Sequence, residues 1–269
     1  MADLWERVTE LEDGLRTALK SSTPGAAEDV RRVSMDLRAA YVSVILSWLK
    51  AKRGTQEPEQ RLWKMCFYRR IDSFRRSLKT IVSSPMAQSA EMKERVSQLL
   101  DKFNGVLKEG RVFYVGLIQQ VAAMFALPID ETGLLPLASL KSLPGATPVI
   151  PPAVASCLQR CLLFLGDLHR YETLHTPPGQ ARNWEPAFEF YRGAIQVDPD
   201  AGGAFNQQAV ISMYEKKYFA PLYFYIRAVA ANRPFSMARD NLVMLFEQNR
   251  KRATELDRAV AACLSAPKG

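Results

Sequence analysis

Residues 187–235 read AFEFYRGAIQVDPDAGGAFNQQAVISMYEKKYFAPLYFYIRAVAANRPF. Ala187, Phe190, Tyr191 and Ala194 return 33 to 34 residues later as Ala220, Phe224, Tyr225 and Ala228, and Pro199 returns at a similar interval as Pro234. Small alanines at three-and-four spacing let paired helices approach, the aromatics fill the gap between them, and a proline stops the helix it follows. The stretch predicts helical hairpins stacked on one another, an all-α arrangement.

The interval is the tetratricopeptide period. Beyond the repeats, Leu242, Leu245, Phe246, Leu256, Val260 and Cys263 predict a last helix from Met237 to about Leu264. Before them, residues 127–152 (LPIDETGLLPLASLKSLPGATPVIPP) hold six prolines and exclude a continuous helix, so they are read as the main linker. Upstream, Leu4, Val8, Leu11, Leu15 and Leu19 give a first helix ended by the SSTPG turn at 21–25. Val30, Val33, Leu37, Tyr41, Val44 and Trp48 give a second, and a third runs from about Glu59 to Val82. A fourth is expected over Ala87 to Leu107 and a fifth from about Gly110 to Ala126. The expected organisation is one domain over 1–269, with helices in 1–126, the linker at 127–152 and repeat-like helices in 153–269.

The chain has 269 residues, 48% of them apolar, a net charge of +8 and a mean hydropathy near zero. Its longest apolar stretch, Val112 to Leu127, is interrupted by Gln119 and Gln120 and falls short of the roughly 20 residues of a membrane span. The charged, amphipathic start MADLWERVTELEDGL lacks the layout of a secretory signal. A soluble protein is expected, with no membrane role. The basic balance favours anionic partners such as nucleic acid, a phosphoprotein or an acidic peptide. Cys66, Cys157, Cys161 and Cys263 occupy helical positions, and CxxxC is not a zinc or redox spacing, so buried reduced thiols are expected. With only His169 and His175, no metal site is expected and no cofactor is implied. No GxGxxG, P-loop or GxSxG signature is present, and the chain is not read as an enzyme.

On a wheel of 100° per residue, Arg61, Lys64, Arg75 and Lys79 fall within about 40° of Tyr68, bordering the apolar face of Trp63, Phe67, Ile71, Phe74 and Leu78. Asp72 shares this stripe and is placed to pair with Arg75. In LLFLGDLHRY, residues 162–171, Gly166 permits close helix packing, Asp167 is placed to orient an arginine, and Arg170 and Tyr171 present a donor fork beside a phenol. Guanidinium plus hydroxyl suits a phosphate dianion. A structural Asp167–Arg170 ion pair is the other reading.

GDLHRY resembles the Gly-Asp-x-x-Arg-Tyr motif of 14-3-3 proteins, and LGDLHRYE resembles the Est/Smg adaptors of nonsense-mediated decay and telomerase. RLWKMCFYRRI (61–71), RVFYVGLIQQV (111–121), residues 187–215 and LYFYIRAVAANRPFSMARDNLVMLFE (222–247) are similar to that family in order and spacing. The resemblance implies a 14-3-3-like antiparallel helical array with tetratricopeptide-like repeats. It also implies a phosphoserine/threonine-peptide site made of Arg75, Arg170 and Tyr171, with Asn206 and Asn241 gripping the peptide backbone. Tyr68 stands where the family pattern has a lysine, and Lys64 or Arg69 is placed to compensate. For Tyr68 simple packing is the other reading, and for the two asparagines it is helix capping or an amide network.

The implied role is an adaptor of nonsense-mediated mRNA decay that binds a phosphorylated RNA helicase of mRNA surveillance, in the cytoplasm and also the nucleus. Two other classes stay open: a telomerase-associated subunit that binds RNA or single-stranded DNA, and a helical scaffold with a vestigial anion pocket. The amphipathic first two helices are candidates for homo- or heterodimer contacts.

Overall fold

In the computed structural model, the described residues are 2–20, 26–51, 57–83, 89–132, 134–135, 150–177, 179–217 and 219–265. All elements among them are helical apart from one isolated bridge between Ala201 and Arg233. In chain order they are α1 (Ala2–Ala18), α2 (Ala26–Lys50), α3 (Pro58–Leu62), a π-helical segment (Trp63–Tyr68), α4 (Arg69–Val82) and α5 (Ala90–Met124). There follow α6 (Pro152–Leu174), α7 (Glu185–Val197), α8 (Gly203–Tyr214), α9 (Phe219–Ala230) and α10 (Ala238–Ser265). Two compact units form, residues 1–193 and 194–269, and the division falls within α7. Residues 133 and 136–149 of that proline-rich stretch, and the expected 21–25 turn, lie outside the described residues.

In the first unit α1 packs on α2, and α5 packs on both α4 and α6. The centre is aromatic. Trp63 stacks on Phe164 of α6 at 4.7 Å with rings 6° from parallel, and Tyr114 of α5 lies 5.3 Å from Phe164 and 5.5 Å from Phe67. The π-helical turns fall on the run that feeds this cluster, WKMCFY, of which Trp63, Met65, Cys66 and Phe67 are buried. A π turn takes in an extra residue and re-aims the side chains that follow it.

Two sequence expectations are corrected here. The fourth and fifth helices are one, the 35-residue α5. Gly110 does not end a helix but admits a neighbour: a Cβ there would meet Leu168 Cδ1 at 3.0 Å and Phe67 Cδ1 at 3.3 Å. The single cationic stripe of the wheel also fails, because the π turns break the 100° register between Arg61 and Arg75. Arg61 grips Glu12 of α1 through Nε–Oε1 at 2.8 Å and Nη2–Oε2 at 2.7 Å, and lies 5.6 Å over the Trp5 ring.

In the second unit the repeat echo becomes packing. Ala204, Ala209, Ala228 and Ala238 are fully buried. Phe205, Ala228 and Ala238 form one cluster with Ile195, Phe224 and Phe235 against it, and Ala209, Tyr225 and Leu245 form another. Gly202 is required where the chain enters α8. Its N–H donates to the Arg233 carbonyl at 2.9 Å, and a Cβ would lie 2.4 Å from the Ala228 carbonyl oxygen. Of the apolar residues expected to bury α10, Leu245 is buried and Leu242 is half-buried against the same cluster, while Phe246, Leu256 and Val260 are exposed. Cys66, Cys157 and Cys161 are buried free thiols, but Cys263 is exposed, because it sits on the part of α10 that packs against nothing described.

Candidate anion-binding site

The first unit brings Arg75 and Arg170 to one ring. Arg75 comes from α4 and Arg170 from α6, 95 residues apart in sequence, and their guanidinium carbons lie 5.1 Å and 4.4 Å from the centroid of Tyr171. The local sequence explains how. Gly166 lets α7 approach α6 so closely that a Cβ at this position would sit 2.4 Å from Tyr191 Cε1. Tyr191 thereby reaches the motif, where its hydroxyl donates to Asp167 Oδ1 at 2.7 Å and accepts from Arg170 Nε at 3.1 Å. Arg170 Nη2 closes the triangle on Asp167 Oδ1 at 3.0 Å. Both readings of the Asp167–Arg170 pair are therefore present in the geometry: it is an (i, i+3) ion pair, and it fixes the guanidinium against Tyr171.

Burial shapes the charges. Arg170 is 6% exposed, and although burial opposes its charge, Tyr191 and Asp167 outweigh that and push it well above its ordinary value, so it stays cationic. The Tyr171 phenol is pushed up to about 12, by burial first and Asp167 second, against the pull of Arg170 and Arg75. It is therefore a hydrogen-bond donor at neutral pH. His175, in contact with Phe103 at 5.0 Å, is held below its usual range by burial and by the nearby charges of Arg75 and Arg182. The corner is electropositive without a carboxylate on Arg75. Asp72, expected to pair with Arg75, bonds Arg76 at 3.1 Å, and among the described residues Arg75 has no acidic partner.

The remaining candidates are placed as follows. Lys64 is exposed on the π-helical segment. Tyr68 is 37% exposed with its ring 6.4 Å from Trp63, which is a packing contact. Arg69 lines a different cavity, with Glu12 and Arg16 of α1. In the second unit, Asn241 Nδ2 donates to the Asn206 Oδ1 at 2.9 Å, and Asn206 is buried, which is an amide network. The residue that sequence reasoning missed is Tyr191, read only as a repeat aromatic. Its signal was Gly166 within GDLHRY, which already required a close neighbour. Among the described residues no cluster of three His, Cys, Asp or Glu side chains could hold a metal ion, and no helix is long and apolar enough to cross a membrane.

The chain is similar to known proteins along most of its length. Residues 57–176 match the family model described as telomerase activating protein Est1, and residues 187–260 match the one described as Est1 DNA/RNA binding domain. The chain is 28% identical over 263 residues to the nonsense-mediated mRNA decay factor SMG7 of Arabidopsis thaliana, covering 92% of this chain and 24% of that protein. It is 27% identical over 231 residues to the telomerase-binding protein EST1A of Danio rerio, covering 86% of this chain and 14% of that protein. The chain thus spans a quarter or less of the length of these relatives. Its fold is like that of a chain in a crystal structure of Est1 and Cdc13, with a TM-score of 0.63 and 14% identity over 96% of this chain and 50% of that one. With two models of one family matched in order, over residues 57–176 and 187–260, the chain belongs to the Est/Smg family.

Proposed function

We propose that the chain is an adaptor that binds a phosphorylated serine or threonine peptide at the ring shared by Arg75, Arg170 and Tyr171. The observation that carries this reading is the convergence of two guanidinium groups from separate helices on one phenol, one of them held by Asp167 and Tyr191 and the other without an acidic partner among the described residues. A phosphate dianion would take Arg75 as its mobile cation and Arg170 and Tyr171 as its fixed donors. Lys64, exposed on the π-helical segment of the same unit, is kept in the proposal as a further cation, while Asn206 and Asn241, bonded to each other within the second unit, are left out of it. The similarity to decay factors supports a role in mRNA surveillance; in this reading the partner is a phosphorylated RNA helicase, met in the cytoplasm or the nucleus. Arg69, which faces elsewhere, is left out of this site.

The test is fluorescence anisotropy with a serine-phosphorylated peptide and its unphosphorylated form. Arg75→Glu should weaken binding of the phosphopeptide by about 10- to 100-fold, the loss of one charge-assisted contact, and leave the weak binding of the unphosphorylated form unchanged. Equal binding of both peptides by the native chain would favour the scaffold reading.

A second reading rests on the second unit. Phe219 is 86% and Tyr223 54% exposed, and Arg250, Lys251 and Arg252 form an exposed cationic run on α10. Exposed aromatics and exposed cations within one unit suit single-stranded RNA or DNA, by base stacking and phosphate contact. A steep fall in RNA affinity with salt, relieved by Arg250→Glu and Lys251→Glu but not by Arg75→Glu, would establish it.

A further inference from the structure

The first unit holds a second cationic feature that the phosphopeptide reading does not use. It is a half-enclosed cavity of about 400 Å³ among α1, α2, the π-helical segment, α4 and α5. Its walls are apolar, formed by Leu15, Val30, Met65, Phe74 and Leu99 among others, and its lining includes Cys66, 3% exposed. Burial pushes the Cys66 thiol up to about 12, so that part of the wall presents a neutral S–H. The size lies within the range of small-molecule sites, roughly 300–1,000 Å³.

The charges of the lining are three arginines, Arg16, Arg69 and Arg70, against one carboxylate, Glu12. Glu12 is already satisfied by Arg61 and by the Tyr41 hydroxyl. Arg16 pairs with Asp13 at 3.1 Å and approaches Glu12 at 3.9 Å, and Arg70 pairs with Glu109 at 3.1 Å. Arg69 is exposed and has no acidic partner among the described residues. Ser73 and Ser77, one and two turns beyond Arg69 on α4, add hydroxyls to the same lining. An apolar chamber with an unspent guanidinium and two hydroxyls is complementary to an apolar body that carries one anionic head.

We propose that this cavity binds a small apolar organic anion, a carboxylate or sulfonate on an aromatic or medium-chain body, with its head on Arg69 and its body against Met65, Phe74 and Leu99. The site is separate from the Tyr171 ring and stands or falls independently of the phosphopeptide reading.

The probe is 8-anilinonaphthalene-1-sulfonate, followed by fluorescence titration and calorimetry, with the neutral N-phenyl-1-naphthylamine as its headless counterpart. One saturable sulfonate site per chain is expected. Arg69→Glu should weaken it about tenfold while changing the neutral probe little, Ser77→Trp should occlude both, and Arg258→Glu, in the second unit, should change neither. Circular dichroism of each variant establishes that it is folded. Absence of a saturable sulfonate site, or one that Arg69→Glu and Arg258→Glu affect equally, would overturn the proposal.

Discussion

At the scale of the residue, the decisive contact is one that connects two sequence features read separately. Gly166 and Tyr191 lie in different segments, but only the absence of a Cβ on the first allows the hydroxyl of the second to reach Asp167 and Arg170. Removing that hydroxyl leaves the Arg170 Nε donor inside a buried corner without its partner, while Asp167 Oδ1 keeps Arg170 Nη2. Tyr191→Phe should therefore destabilise the chain by about 1–3 kcal/mol in urea titration. It should also loosen phosphopeptide binding even though Tyr191 itself lies behind the ligand face, because Arg170 loses one of its two anchors. A binding constant unchanged in the folded variant would show that Asp167 alone positions the guanidinium. That Arg75, Arg170 and Tyr171 would meet was expected from the resemblance carried by GDLHRY, and the fold brings the three together. The orientation of Arg75 was not legible, because whether Asp72 pairs with residue 75 or 76 depends on rotamers that no spacing rule fixes.

At the scale of the element, glycines of one helix have opposite meanings that the sequence does not distinguish. Gly105 and Gly110 both lie in α5, where a glycine weakens an interior turn relative to alanine. A Cβ at Gly105 would meet nothing within 4 Å, whereas one at Gly110 would press on Leu168 and Phe67. Gly105→Ala should stabilise by about 0.5–1 kcal/mol, and Gly110→Ala should destabilise by about 1–3 kcal/mol as the core gives way. Thermal melts of the two variants should move in opposite directions, and a shared rise would mean that Leu168 yields without loss. This is also why α5 was read as two helices: periodicity resumes on both sides of Gly110, and the reason for the glycine lies in α6, far away in sequence. The π-helical segment was hidden for a similar reason. It falls where Trp63 packs onto Phe164, a tertiary contact, and it breaks the register that had placed Arg61 beside Arg75.

At the scale of the whole molecule, the class and the order of the helices were legible because apolar spacing reports burial directly. The division into two units was not, because it falls inside a continuous helix. The charges show a further whole-chain property. Several carboxylates of the first unit are locked to arginines brought from other helices, among them Glu12 to Arg61, and Glu109 to Arg38 at 2.7 Å and Arg70 at 3.1 Å; for these two the balance of charge is clear. Burial alone would raise both groups, yet the arginines, with Tyr41 in the case of Glu12, hold both below the ordinary value of 4.5. The folded state then binds fewer protons than the unfolded chain as the pH falls through and below that value, so stability rises with pH across this window. The contribution of each pair is complete above about pH 4.5 and is lost on acidification through the lowered folded value. Glu12→Gln keeps a hydrogen-bonding side chain but surrenders the charge, and should cost about 1–2 kcal/mol at neutral pH. Urea titrations of both proteins from pH 7 to pH 3 should show the difference shrinking as the native chain loses its advantage. A gap that stays constant over that range would mean that Glu12 contributes through shape and hydrogen bonding, and that its charge does not tie α1 to α3.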